Sequence, residues 1–210
     1  MVAVAAPAEA QARFEVSGLG GFTFSEGITG DPFTTPNGTF TGIQVKNGGS
    51  FGFSFAVMTD TGGEVGFLWT RQMSTLGVRG IPSFDIGDMN LDNYHVYFAY
   101  NTMPESKVHP YISIGFGATD YGAVSYSTAN GSGEINGPVK FSFKAGVGIK
   151  TWASESVGFR ASIDWTPTYI TSKDEGWWCD PVWGCYMTSD SKYSHQLMMS
   201  GGIVFRFGGN

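Results

Sequence analysis

The sequence predicts an all-β fold, an eight-stranded antiparallel up-and-down β-barrel, and three observations predict it. Apolar residues alternate with small or polar residues along most of the chain, which is the period of a strand with two unlike faces. Long connections alternate with short ones between the predicted strands. Aromatic residues make up 15% of the 210 residues and charged residues only 14%, with 31 glycines, and this composition excludes intrinsic disorder.

Each of the eight predicted strands shows this alternation. It is clearest over residues 139–151, where Val139, Phe141 and Phe143 share one face and Lys144 lies on the other. In chain order, the strands cover residues 14–24, 51–57, 65–73, 94–100, 110–116, 139–149, 157–169 and 193–207. Eight such segments in one chain indicate a barrel or a sandwich.

The connections predict which strand ends lie together. Four long polar or glycine-rich segments are predicted to be loops, at residues 26–50, 75–91, 120–138 and 171–192, and three short turns alternate with them, at residues 60–63, 101–109 and 152–156. In an up-and-down arrangement every long loop lies at one end of the barrel, the long-loop end, and every short turn at the other, the short-turn end. Both termini are predicted at the short-turn end.

The two strand faces leave two arrangements to compare. A soluble barrel or sandwich would bury the aromatic face and expose the other, but that other face carries mostly Gly, Ser and Thr and few charges. An inverted barrel turns the aromatic face toward lipid and lines a narrow lumen with small polar residues. Its closed ring also satisfies the backbone hydrogen bonds, as hydrocarbon requires. We therefore favour a transmembrane β-barrel; no apolar run is long enough for a transmembrane helix.

Five charged residues are predicted to form a network inside the lumen: Glu15, Lys144, Arg160, Asp164 and Arg206. A hairpin centred near Ser154 places Lys144 opposite Asp164, and closure of the ring brings Glu15 near Arg206. The glycine-rich inner face leaves room for such side chains to cross. The network is either a narrow gated ion path or a structural plug. We favour the plug, because eight strands leave a lumen just wide enough for side chains to fill.

The segment 171–192 has the most distinctive composition. Cys179 and Cys185 bracket a short stretch with Trp and Pro, and are predicted to form a disulfide if the compartment is oxidising. Four aromatic residues surround them: Trp177, Trp178, Trp183 and Tyr186. Rigid aromatic side chains dominate binding hot spots, so they are predicted to bind a partner from an extracellular loop. Alternatively, they pack on the barrel rim or on lipid headgroups.

Other functions find little support in the sequence. The net charge of −6, without Lys- or Arg-rich runs, argues against nucleic-acid binding. The scattered histidines and the spacing of the cysteines do not fit a metal site, and no cofactor is predicted. Ser194 and His195 are neighbours on opposite faces of a strand, which is unsuitable for a shared hydrogen bond. No catalytic residue is predicted, and the chain is not expected to be an enzyme.

The chain is predicted to hold one folded domain. Residues 1–12 are almost all small and include Ala10-Gln11-Ala12, which has the form of a signal-peptidase site but lacks a basic segment before it. These residues are predicted to be the remnant of a signal peptide or a flexible leader. Residues 13–207 are predicted to form the barrel, and residues 208–210 a short C-terminal tail.

Three stretches carry a resemblance to a known family. They are Tyr94–Tyr100 continuing to His109–Gly117, the segment Phe143–Lys150, and the last strand, Gly202–Phe207. Over residues 13–207 the chain resembles the eight-stranded outer-membrane β-barrels of Gram-negative bacteria, the group of opacity proteins, OmpX, OmpW and the OmpA barrel. It departs from them because its last aromatic residue is followed by Gly208-Gly209-Asn210.

The resemblance implies an outer-membrane protein with extracellular loops and periplasmic termini. It further implies outer-membrane lipid and lipopolysaccharide as surroundings, and a last strand that the barrel-insertion machinery reads. Such barrels serve many roles, so the fold does not fix the function. We expect a surface protein with a structural or interaction role, in adhesion or in assembly with another surface protein or a host cell surface. The alternatives are a narrow porin-like channel for small or apolar solutes and a lipid A-modifying enzyme.

Overall fold

The computed structural model describes residues 13–35, 38–59, 61–103, 106–128, 131–171, 179–180, 184–185 and 192–208. These ranges form fourteen strands: β1 (Arg13–Ser25), β2 (Ile28–Thr35), β3 (Gly38–Val45), β4 (Gly48–Met58), β5 (Gly63–Ile81), β6 (Phe84–Asn101), β7 (Val108–Tyr121), β8 (Val124–Thr128), β9 (Gly131–Ile135), β10 (Val139–Trp152), β11 (Val157–Ile170), β12 (Cys179–Asp180), β13 (Gly184–Cys185) and β14 (Lys192–Phe207). Within them, no helix has the length and apolarity needed to cross a membrane.

Eight of the strands close into a ring, which confirms the predicted antiparallel up-and-down barrel. The order around the ring is β1, β4, β5, β6, β7, β10, β11 and β14, and β14 pairs again with β1. The pairing can be traced once around the ring, from each residue to its partner on the next strand. Starting at Phe14, the trace passes through Val57, Val65, Phe98, Ile114, Ala145, Trp165 and Leu197 and returns to β1 at Phe24. This offset of ten residues means that the strands are tilted, as closure of a barrel requires.

All four segments predicted as long loops contain strands, the fourth only the two-residue strands β12 and β13, so that part of the prediction is wrong. Strands β5 and β6 continue through residues 75–91 and are joined only at Pro82 and Ser83. Residues 26–50 include the β2–β3 hairpin, whose β3 pairs with the upper part of β5, and β8 pairs with β9 within residues 120–138. The physical reason in the first three segments is that they carry apolar residues, among them Ile43, Leu76 and Val124, that pack into a common core.

The outer and inner faces of the ring differ in polarity through the middle of the barrel. Phe53, Val96 and Ile163 lie on the outer face and are exposed, whereas the inward neighbours Ser54 and Ser162 are buried. An outer face of apolar side chains around a polar interior is typical of transmembrane barrels.

This polarity is inverted at the long-loop end. On β6, the outer face changes from Val96 and Tyr94 to Asp92 and Asp88, while the inner face changes from Asn93 to Leu91 and Met89. Arg71 binds Asp92 through two hydrogen bonds at the same level of the outer wall. The apolar outer band therefore ends at this level on β5 and β6, and the strands above it have an apolar interior.

Candidate functional site

The lumen near the short-turn end contains a charged layer, defined as Glu15, Glu64 and Lys150. The Lys150 Nζ atom lies 2.5 Å from Glu15 Oε2 and 2.5 Å from Glu64 Oε2. All three side chains are at most 2% exposed. Because the three residues come from β1, β5 and β10, their ion pairs cross the lumen.

Arg160 extends this network through hydrogen bonds to hydroxyl groups rather than to a carboxylate. Its Nε donates to the Tyr111 hydroxyl at 2.7 Å and its Nη1 donates to Ser54 Oγ at 3.1 Å. The rings of Tyr97 and Tyr111 lie 5.9 and 5.0 Å from the guanidinium carbon, within the range of cation–π attraction. The Tyr97 hydroxyl in turn donates to Glu64 at 2.6 Å. Tyrosine rings and hydroxyls thus solvate a buried cation.

A second ion pair lies nearer the middle of the lumen, between Lys144 and Asp164, with Nζ and Oδ1 2.5 Å apart. The expected register is wrong by two residues, because Asp164 lies opposite Gly146. The pair forms diagonally, since side chains two positions apart on one face are within reach of a long side chain. Gly146 makes this possible, because a Cβ atom there would lie 2.1 Å from the Asp164 carboxylate.

Uncharged polar groups fill the next level toward the long-loop end. Asn93 Nδ2 donates to Gln196 Oε1 at 3.0 Å, and Thr119 Oγ1 donates to Asn93 Oδ1 at 2.6 Å. His95 Nε2 and Ser142 Oγ are 2.9 Å apart just below them. Beneath this level the buried cations Lys144, Lys150 and Arg160 match the buried carboxylates Glu15, Glu64 and Asp164 in number. The partly exposed Arg206 adds a fourth cation at the short-turn end.

The inside of the long-loop end is closed by a cluster of apolar side chains, which we call the upper cluster. Its members come from seven strands and are at most 3% exposed: Ile28, Ile43, Val45, Leu76, Met89, Leu91, Tyr121, Val124 and Ile170. Ile86 and Ile135 pack against it. Hydrogen bonds and ion pairs thus fill the lower lumen, and hydrophobic contacts fill the upper part.

The backbone pairing of the barrel wall is incomplete in one section between β10 and β11. Their ladder lacks the rungs between Phe143 and Pro167 and between Lys144 and Thr166, where Pro167 has no N–H to donate. A groove of about 570 Å³ lies on this section, and a second of about 490 Å³ lies nearer the short-turn end. Both are lined mainly by apolar side chains of the outer face.

The structure brings all five predicted lumen residues into the interior. Glu15 lies directly opposite Arg206, and the Arg206 Nη2 donates to Glu15 Oε1 at 2.9 Å. Sequence reasoning missed Lys150 and Glu64, although both lie on the polar face close to the short-turn end. Their shared face and their equal distance from the short-turn end could have indicated that they meet. Residues of β5 and β10 can be paired with each other, however, only when the closed ring is known.

The predicted residues of segment 171–192 are described only in part. Trp177, Trp178, Trp183 and Tyr186 lie outside the described residues. The backbones of Cys179 and Cys185 lie opposite each other in the β12–β13 ladder, and the disulfide between them stays a prediction. In the described ranges, no three His, Cys, Asp or Glu side chains form a group that could hold a metal ion.

The ring of eight antiparallel strands, with an apolar outer band and a filled polar interior, defines the fold class of the eight-stranded outer-membrane β-barrels. Among solved structures, the chain is similar to the outer membrane protein OprG from Pseudomonas aeruginosa, at 13% identity and a TM-score of 0.67 over 93% of this chain and 95% of that one. It is also similar to AlkL in lipid bilayers, at 12% identity and a TM-score of 0.57 over 99% and 95% of the two chains. Neisserial surface protein A matches at 13% identity and a TM-score of 0.54 over 93% and 97%.

These similarities confirm the predicted resemblance at the level of the fold. No protein-family model matches the chain, and no curated protein sequence does.

Proposed function

We propose that the chain is an outer-membrane surface protein with a structural or interaction role and an axially closed lumen. The orientation we propose places the long-loop end outside the cell and both termini in the periplasm. The observation that carries the proposal is the charged layer. Lys150 binds two carboxylates from other strands, so an ion moving along the axis would have to separate these buried ion pairs. Separation is costly because it leaves a buried charge without its partner.

The surroundings of the barrel support the outer-membrane location. The outer face carries large apolar side chains in the middle of every ring strand, among them Phe55, Phe67, Ile114 and Met199. An apolar band of this kind fits outer-membrane lipid and lipopolysaccharide acyl chains. The last strand ends with Phe205 and Phe207 on the outer face, and we propose that the insertion machinery reads it.

Two measurements test the closed barrel. The folded protein should resist SDS until it is heated, with a change in gel mobility, and it should show only very low conductance in planar bilayers. A chain that purifies folded without detergent would contradict the membrane assignment. A stable conductance typical of an open pore would contradict the closed lumen.

The interaction role is assigned to the extracellular loop with Trp177, Trp178, Trp183 and Tyr186, whose partner is another surface protein or a host cell surface. Replacing Trp178 by Ala, or reducing a Cys179–Cys185 disulfide, should weaken cell adhesion or partner capture while the heat-dependent gel shift stays the same. A matched control is Trp152→Phe at the other end of the barrel. Unchanged adhesion in both loop variants would contradict the interaction role.

A second candidate function, passage or storage of small apolar molecules, is favoured by two observations. The upper cluster gives the long-loop end an apolar interior, and the larger outer groove lies on the wall section that lacks two rungs. Uptake of a radiolabelled alkane into cells that express the protein tests it. Uptake equal to that of cells without the protein would exclude this candidate and leave the surface role standing.

A further inference from the structure

The short-turn mouth of the barrel is crossed by a stacked pair of side chains, Trp152 and Arg206. Trp152 ends β10 on the lumen face, two residues beyond Lys150. The Arg206 guanidinium carbon lies 3.6 Å from the centre of the Trp152 ring. The same guanidinium donates to Glu15 Oε1 from Nε at 3.2 Å and from Nη2 at 2.9 Å. We call Trp152 and Arg206 the mouth cap.

Neighbouring strands hold the ring in this position. Gly158 lies opposite Trp152 on β11, and a Cβ atom there would be 2.9 Å from the Trp152 ring. The His109 ring on β7 approaches Trp152 edge-on, with centroids 6.5 Å apart. Trp152 is therefore packed between β7, β11 and β14, and covers the lumen below the charged layer.

We infer that the mouth cap is a second seal, in series with the charged layer, and that Arg206 is its latch. The inference rests on the proposed closed lumen. A solute entering from the short-turn end meets the Trp152 ring first and the ion pairs of Lys150 next. Since the barriers are in series, removing one leaves the other in place.

The position of the latch couples sealing to completion of the barrel. Arg206 belongs to β14 and Glu15 to β1, the strands that close the ring. Arg206 can bind Glu15 and stack on Trp152 only after β14 has paired with both β1 and β11. The cap therefore forms as a consequence of ring closure.

Thiol labelling of the lumen from the short-turn end tests the inference, because the upper cluster closes the other end in every variant. The parent chain carries S17C, on the buried inner wall two residues beyond Glu15, together with C179S/C185S, which remove the native thiols. The rate at which S17C reacts with a small water-soluble methanethiosulfonate is measured. K150M/E64Q removes one charge of each sign from the charged layer and leaves Glu15 paired with Arg206. W152A removes the ring of the cap. We expect each of these variants to stay within threefold of the labelling rate of the parent chain, and W152A/K150M/E64Q to exceed it at least tenfold. W152F/K150M/E64Q keeps an aromatic ring and should stay low.

The latch has its own variant. R206Q/K150M/E64Q keeps Trp152 but removes the cation, and should be labelled at least tenfold faster than the parent chain; it also replaces the triple Trp152 variant if that chain fails the heat-dependent gel shift. The inference is overturned if the combined variants are labelled no faster than K150M/E64Q, or if W152A alone is labelled at least tenfold faster than the parent chain. A parent chain whose S17C reacts as fast as an exposed cysteine would instead contradict the proposed closed lumen.

Discussion

The lower lumen and the upper cluster occupy the inside of one barrel but are held together by opposite means. The lower lumen depends on ion pairs among Glu15, Glu64 and Lys150, whereas the upper cluster depends on contacts among residues such as Leu76 and Leu91. The reason is the environment outside each region. Where the outer face is an apolar band, strand alternation places polar residues inside. Where the outer face is polar, the same alternation places apolar residues inside.

The largest effect is expected from Lys150→Met, which leaves two carboxylates in the lumen without their shared cation. Breaking a buried ion pair by removing one partner costs several kcal/mol, so the free energy of unfolding in lipid vesicles should fall by about 4 kcal/mol. The matched control is Lys46→Met, since Lys46 pairs with Asp85 on the exposed surface. The control should lose less than about 1 kcal/mol, and equal losses would contradict a role of burial in the charged layer.

A smaller loss is expected from Leu91→Ala, which creates a cavity in the upper cluster. Leu91 is 1% exposed, and truncation of a buried leucine should lower the free energy of unfolding by about 3 kcal/mol. Ile81→Ala provides the comparison, because Ile81 at the tip of β5 is 83% exposed. If both variants unfold at the same denaturant concentration, the upper cluster is not a packed core.

The outer wall can be tested with arginine. Val96 lies on the outer face in the middle of β6, so Val96→Arg should lower the free energy of unfolding in vesicles by about 2 to 3 kcal/mol, the cost of a cation on the lipid face. Ile81→Arg, above the apolar band, should leave it nearly unchanged. A Val96→Arg protein as stable as wild type would contradict the lipid-facing assignment.

The smallest of the interior effects is expected from Asp164→Asn. The variant keeps a hydrogen-bond acceptor for Lys144 but removes the negative charge, and should cost about 2 kcal/mol of unfolding free energy. Its conductance should stay that of the wild type, because the charged layer and the upper cluster remain. Asp85→Asn is the exposed control. A large rise in conductance with intact folding would show that Asp164 belongs to a gate.

Prediction from the sequence succeeded where a local pattern was enough. The alternation over residues 139–151 predicted β10 and its two faces, and the short turn at residues 152–156 predicted its hairpin with β11. It failed at residues 75–91, because glycines and polar outer-face residues there hid the apolar inner positions Leu76, Met89 and Leu91. The alternation continues through that segment, but its apolar residues lie on the inner face instead of the outer one. This inverted alternation indicated strands there.

The charge pairs likewise divide into one that the sequence predicted correctly and others that depend on the register of the strands. Glu15 and Arg206 are near the two ends of the barrel sequence and meet because the first and last strands of a ring pair. Lys144 meets Asp164 two rungs from the position that a symmetrical turn predicts, since the register depends on the β10–β11 turn. Contacts that cross the lumen, such as that between Lys150 and Glu64, depend on the offset around the whole ring.

The sequence by itself determined the number of ring strands, their apolar and polar faces and the end at which the short turns lie, because side-chain alternation is a property of each strand alone. The tertiary structure decided which inward side chains meet and how both ends of the lumen are closed. The tilt and the ten-residue offset set the height of every residue on the inner wall. They place Lys150 between Glu15 and Glu64, and the Trp152 ring beneath Arg206.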